Sequence, residues 1–227
     1  MHVSLKEVRN FSLVRWLLMP KDVLFIWIPR TGGTSISTAL GLHVMAWPRN
    51  LCEFKNEGWV SFKHMSITDL MDAGIVSEEF FRRAFKFTCV RNPWDRIVSV
   101  FHRARMDNDL QGALSRYKYF EEFVLDLPNI RIDPPGIYLY KGFSSFAPQV
   151  SWIRDKRRGI FVDFIMRYEN LEEDFRKLCS ILGISVELPH LYPSEHRPYW
   201  QYYTPTLRDI VAEIYREDIK TFGYSFR

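Results

Sequence analysis

The chain has 227 residues, 47% of them hydrophobic and 16% aromatic. That is enough to bury a sizeable single core, and too apolar for a disordered protein. Lys and Arg number 31 against 27 Asp and Glu, a net charge of +4; this mild excess suits a binder of small anions and excludes a dedicated nucleic-acid binder, whose basic residues would form dense stripes.

The first apolar stretch, Phe11 to Ile28, is interrupted by Arg15, Pro20, Lys21 and Asp22. It is too short and too charged to span a bilayer. The reading is a soluble, cytoplasmic protein, or a chain trimmed of its anchor. Asp22 to Ile28 reads as a buried strand. Pro29 to Ser35 is a glycine-containing loop, followed by a helix through Leu40 that stops at Gly41. Ser66 to Ala73 is a short helix with a capping-box pattern in Ser66 and Asp69, and Gly74 stands where a C′ glycine belongs. A helix over Glu78 to Ala84 leads into a second buried strand, Phe85 to Val90. Asn92-Pro93-Trp94-Asp95 starts the next helix, with Asn at N-cap and Pro at N1; it runs to about Arg105. Asp107 to Tyr117 reads as a loop, Phe120 to Leu125 as helix, and Ile130 to Phe146 as irregular. Phe161 to Arg167 is a third strand and Asn170 to Leu182 a helix ended by Gly183. A last helix starts at Thr204-Pro205, with Leu207, Ile210, Val211 and Ile214 on its apolar face.

Strands alternating with helices imply an α/β fold around a parallel sheet flanked by helices, as one domain over residues 1–227. Ligands in such sheets bind beyond the carboxyl ends of the strands. The three cysteines, Cys52, Cys89 and Cys179, form no C-x-x-C pair. They argue against a zinc site or a disulfide framework and for a reducing compartment.

Two strand ends carry candidate chemistry. After the first strand, Arg30-Thr31-Gly32-Gly33-Thr34-Ser35 opens a helix. The glycines let backbone N–H groups converge on an anion, the helix start adds unpaired donors, and Arg30 and the hydroxyls of Thr31, Thr34 and Ser35 add more. An ordinary glycine turn would not need this combination. Neither G-x-x-x-x-G-K-[ST] nor G-x-G-x-x-G is present, which disfavours ATP or GTP hydrolysis and nicotinamide chemistry. After the second strand, Arg91 can grip a phosphate bidentately. Ser99 lies about two turns into the following helix and meets the same phosphate if that helix runs alongside the ligand.

These two segments, in this order, resemble the signature of sulfotransferases that use 3′-phosphoadenosine 5′-phosphosulfate (PAPS), specifically the carbohydrate-type, family 2-like branch. That family pairs a P-K-T-G-G-T-S-like loop for the 5′-phosphosulfate with R-N-P-x-x-R-x-x-S for the 3′-phosphate. The resemblance extends to Lys63-His64-Met65-Ser66, to Asp163–Phe175 and to Tyr202–Phe226, so it covers nearly the whole chain. It implies a P-loop-like sulfotransferase fold and transfer from PAPS to a hydroxyl, on a carbohydrate in this branch, releasing adenosine 3′,5′-bisphosphate (PAP) without a metal. Arg30 stands where the family usually has lysine, and can stabilise charge on the leaving phosphate without giving up a proton.

Of six histidines, His64 matches the base-bearing segment, and the helix start at Ser66 disfavours its imidazolium. His102, three residues beyond Ser99, and His196 are weaker candidates. The family also closes a segment over the nucleotide near Ser194 to Thr204, where Arg197 is the candidate basic residue. Arg154 to Arg158 reads as a solvated basic loop, and Arg167 with Glu169 as a structural pair. Two other readings remain open: a nucleotide or nucleoside kinase, which lacks its Walker lysine and magnesium carboxylate here, and a non-catalytic nucleotide- or glycan-binding module of the same fold.

Overall fold

The computed structural model describes residues 22–42, 51–53, 59–106, 116–130, 146–155, 159–191 and 196–227. Strand β1 (Val23–Ile26) leads through the glycine loop into α1 (Gly33–Ala39). A short antiparallel pair, β2 (Leu51–Glu53) and β3 (Trp59–Ser61), precedes a single 3₁₀ turn at Phe62–His64. Helices α2 (Ile67–Asp72) and α3 (Glu78–Arg83) follow, then β4 (Phe85–Val90) and α4 (Pro93–Met106). Next come α5 (Phe120–Asp126), α6 (Val150–Ile153) and a small hairpin of β5 (Arg154–Asp155) and β6 (Gly159–Ile160). Strand β7 (Phe164–Arg167) and helices α7 (Leu171–Leu182), α8 (Pro205–Ile214) and α9 (Arg216–Phe222) complete the order.

The central sheet is parallel, in the order β1-β4-β7. Ile26 lies opposite Thr88, and Val90 opposite Arg167. Residues on β1 alternate between two cores: Leu24 and Ile26 pack with α2 and α6, while Val23 joins Phe87, Cys89 and Met166 beneath α1 and α7. A sheet covered on both faces needs such nearly continuous apolar strands. A third core lies between α4, α5 and α8 and contains Ile97, Phe101, Phe123, Leu207 and Val211.

The expected strand Phe85 to Val90 is present with those limits, and the Ser66 cap forms: its Oγ accepts from Asp69 N–H at 3.1 Å. The first strand is shorter than Asp22 to Ile28 because its end leaves the ladder. Trp27 gives its carbonyl to His64 and Ile28 gives its own to Thr31. The third strand begins at Phe164 because the Asp163 carboxylate takes the Lys86 N–H at 2.7 Å. The last helix divides at Tyr215, and α9 was not anticipated. Arg167 and Glu169 do not pair. The Arg167 guanidinium donates to the Phe222 carbonyl, whereas Glu169 accepts from Asn92 N–H and from the Tyr224 hydroxyl. Among the described residues no helix is long and apolar enough to cross a membrane. Cys89 and Cys179 are buried free thiols. Residues 1–21, 43–50, 54–58, 107–115, 131–145, 156–158 and 192–195, which include most of the Asp107–Tyr117 loop, most of the irregular Ile130–Phe146 stretch and part of the basic run, lie outside the described residues.

Candidate functional site

The loop after β1 has the backbone that its sequence requires. Gly32 sits at φ +83° and Arg30 at φ +68°, a conformation that costs a side-chain-bearing residue of order 1 kcal/mol or more. A Cβ on Gly33 would stand 1.9 Å from Trp27 Nε1, so the indole rests directly on the helix start. The N-cap of α1 is Gly32, which has no side chain to cap the helix, and the first turn has no acidic residue. Its leading N–H groups are therefore open to an anion. The hydroxyls divide. Thr31 is fully buried and donates back to Ile28 O at 2.9 Å, Ser35 accepts from Leu191 N–H at 3.1 Å, and Thr34 is exposed. Thr31 thus serves the loop's shape.

The structure brings the second strand end onto the first. Arg91 Nη1 donates to the Arg30 carbonyl at 3.3 Å, and Arg30 Nε donates to Ser99 Oγ at 3.1 Å. Ser99 is wholly buried against α4's neighbours, with Arg30 on its hydroxyl. The Arg91 guanidinium lies over the Tyr168 ring, 4.0 Å from its centroid, and its Nε is held by Asp95 at 2.8 Å. Its backbone N–H and carbonyl are both bonded to the Gln149 amide. Gln149 is fixed in turn by the buried carboxylate of Asp218, whose titration is pushed up mainly by burial.

Arg96 is the residue whose role its motif position did not reveal. It is fully buried, and donates from Nε to Pro29 O at 3.1 Å and from Nη1 to Ala147 O at 2.9 Å. It ties the β1 loop to α4 and to the chain before α6. The arginine inside R-N-P-x-x-R-x-x-S signals a cation, and only the contacts, 67 and 51 residues away in sequence, give its use.

His64 sits where the 3₁₀ turn passes the end of β1. Its Nδ1 is 3.0 Å from Trp27 O, an acceptor, so Nδ1 carries the ring proton and Nε2 keeps its lone pair. Burial, with the nearby positive charges of Lys63 and Arg30, lowers its pKa to about 3. The imidazole is neutral as the sequence implies, but burial rather than a helix terminus is the main cause. Trp152 Nε1 holds the His64 carbonyl at 2.9 Å.

The segment before α8 packs on α4, and Arg197 lies within it. Its guanidinium is exposed over the Tyr202 ring at 5.2 Å. The neighbouring His196 has Nε2 3.9 Å from Asp95 Oδ1 and its ring stacked on His102.

Parallel strands whose carboxyl ends carry two cationic turns define the α/β class in which ligands bind beyond the strand ends. The model of the sulfotransferase family matches residues 20–225, and the chain belongs to that family. Its activity class is therefore sulfuryl transfer. No curated protein matches the sequence. Among solved structures, the mouse sulfotransferase SULT7A1 complexed with PAP aligns with a TM-score of 0.48 at 15% identity, covering 88% of this chain and 85% of its own. A sulfotransferase from Alicyclobacillus acidocaldarius aligns at 0.47 and 14% identity, covering 91% and 97%.

Proposed function

We propose that the chain, acting as one domain, transfers the sulfuryl group of PAPS to a carbohydrate hydroxyl and releases PAP. The observation that carries this reading is the junction at Arg30, where a carbonyl held by Arg91 and a guanidinium bonded to Ser99 bring both strand-end motifs together. In this reading the open N–H groups of α1 and Arg30 hold the 5′-phosphosulfate, and Arg91 with Ser99 holds the 3′-phosphate. His64 Nε2 takes the proton of the acceptor hydroxyl as its oxygen bonds to sulfur. The sulfur–oxygen bond to the phosphate breaks, its electron pair stays on the phosphate oxygen, and Arg30 and α1 stabilise that charge. Catalysis then rests on positioning and preorganised electrostatics. The mouse structure complexed with PAP accords with the donor. The carbohydrate acceptor rests on the branch that the motifs resemble, and the cytoplasmic placement on the three scattered cysteines, none of which lies in a C-x-x-C pair.

Calorimetric titration with PAP, ATP and AMP tests the donor assignment. The wild type should prefer PAP, and Arg91→Ala should lose that preference with at least tenfold weaker binding; Arg91→Lys, which keeps a cation in the buried site, should lose part of it. Equal affinity for ATP would sink the proposal.

A further inference from the structure

We propose that donor binding at Arg91 is proton-coupled through His196, whose imidazole takes up a proton as the phosphate arrives. This rests on the reading of Arg91 as a phosphate ligand. In the protein as it stands, Asp95 holds Arg91 Nε at 2.8 Å, with side-chain exposures of 16% and 4%. The pair carries no net charge, so an anion approaching the guanidinium meets a carboxylate beside it.

His196 supplies the missing charge. Its Nδ1 lies 2.8 Å from the carbonyl of Arg197, which can only accept, so Nδ1 carries the ring proton. Nε2 is left with a bare lone pair. That atom is buried, makes no hydrogen bond among the described residues, and faces Asp95 Oδ1 at 3.9 Å. Two acceptors thus oppose each other with no proton between them. A proton on Nε2 turns this opposition into an ion pair and draws the Asp95 charge away from Arg91. It also takes the Arg91–Asp95–His196 cluster from zero net charge to plus one. A phosphate dianion favours the charged cluster, so by linkage its binding pulls the proton in.

The groups facing His196 fit this role. His102 of α4 stacks on it with centroids 5.6 Å apart, and Tyr202 meets its edge at 6.4 Å. Two stacked imidazoles resist double protonation, so the cluster takes one proton. The Arg197 guanidinium is exposed over the Tyr202 ring, where solvent screens its charge.

The test is calorimetric titration with PAP at pH 6–7.5 in buffers of different ionisation heat, which counts protons taken up on binding. Wild type, His196→Gln and His102→Gln are compared. The wild type should take up more protons than His196→Gln. Its affinity should gain about three- to tenfold over that variant between pH 7.5 and 6, against a ceiling of about tenfold per pH unit for one linked proton. His102→Gln should retain the coupling. Equal uptake in wild type and His196→Gln, an equal loss of affinity at every pH, or loss of coupling in His102→Gln alone would overturn the inference while leaving the donor reading intact. Failure of PAP to bind the wild type at any pH would overturn both.

Discussion

A buried imidazole with a pKa of about 3 has consequences for both activity and stability. Near pH 6 an ordinary histidine is mostly charged, whereas His64 stays neutral, with Nδ1 tied to Trp27 O and Nε2 able to accept a proton. In the proposed mechanism, His64→Ala should lower kcat about 10²- to 10⁴-fold while PAP affinity changes little. Unchanged turnover in an activity assay would remove the residue from the reaction. The folded-state pKa lies below the unfolded value near 6.5, so acid protonates the unfolded chain first. Stability from the neutral imidazole is intact above about pH 6.5 and is lost as pH falls towards 3, by up to about 1.4 kcal/mol per pH unit. His64→Gln can keep the bond to Trp27 O and does not titrate. Its urea midpoint should fall less steeply than the wild type's between pH 6.5 and 4.5; parallel curves would count against the burial effect. The choice of His64 came from its place in the Lys63–Ser66 segment. The cause of its neutrality did not, because burial depends on Trp27 and Trp152, which stand far away in the sequence.

At the scale of elements, the start of α1 is shaped by contact between Trp27 and Gly33. Gly33→Ala should destabilise the protein by about 1–3 kcal/mol through overpacking and weaken PAP binding. Trp27→Ala should relieve the added methyl. A double-mutant cycle measured by denaturant unfolding should therefore show the two changes coupled, and strict additivity would deny the contact. Elements governed by local rules were readable in advance. Ser66 caps α2, Asn92 Oδ1 accepts from Trp94 N–H at the start of α4, and Gly183 ends α7 at φ +70°. Ser99 shows the limit of such rules. Helical spacing placed it about two turns into the helix after Arg91, but its bond to the Arg30 side chain depends on how α4 packs on β1. The division between α8 and α9 was missed for a similar reason. Tyr215 continues the apolar face but is fully buried, and its hydroxyl donates to the Phe146 carbonyl.

Across the whole molecule, the site is supported from far along the chain. Asp218, wholly buried, accepts from Gln149 N–H at 2.7 Å and Val150 N–H at 2.9 Å and stands near the charge of Arg96. Asp218→Ala would leave those donors unsatisfied and a buried arginine without its carboxylate. A loss of roughly 3–5 kcal/mol in denaturant unfolding is expected, with PAP affinity falling as Gln149 releases the Arg91 backbone. A loss below about 1 kcal/mol would mean that solvent replaces the carboxylate. The parallel sheet was legible from alternating strands and helices, while this chain of support was not. Its links, Gln149 to Asp218 and Asn92 to Ser225, join residues 69 and 133 apart and leave no periodic trace.

Those links also bear on how the protein is made. The loop at Arg30 leaves the ribosome before its supports: β4, Arg96, Gln149, Asp218 and Ser225 emerge in that order behind it. The loop at Arg30 therefore gains its last support only after Asp218 and Ser225 have followed it. A nascent chain halted before Asp218 would carry both motifs without the support that Gln149 and Asp218 give Arg91, so in the proposed reading donor affinity should appear only once Asp218 has been made.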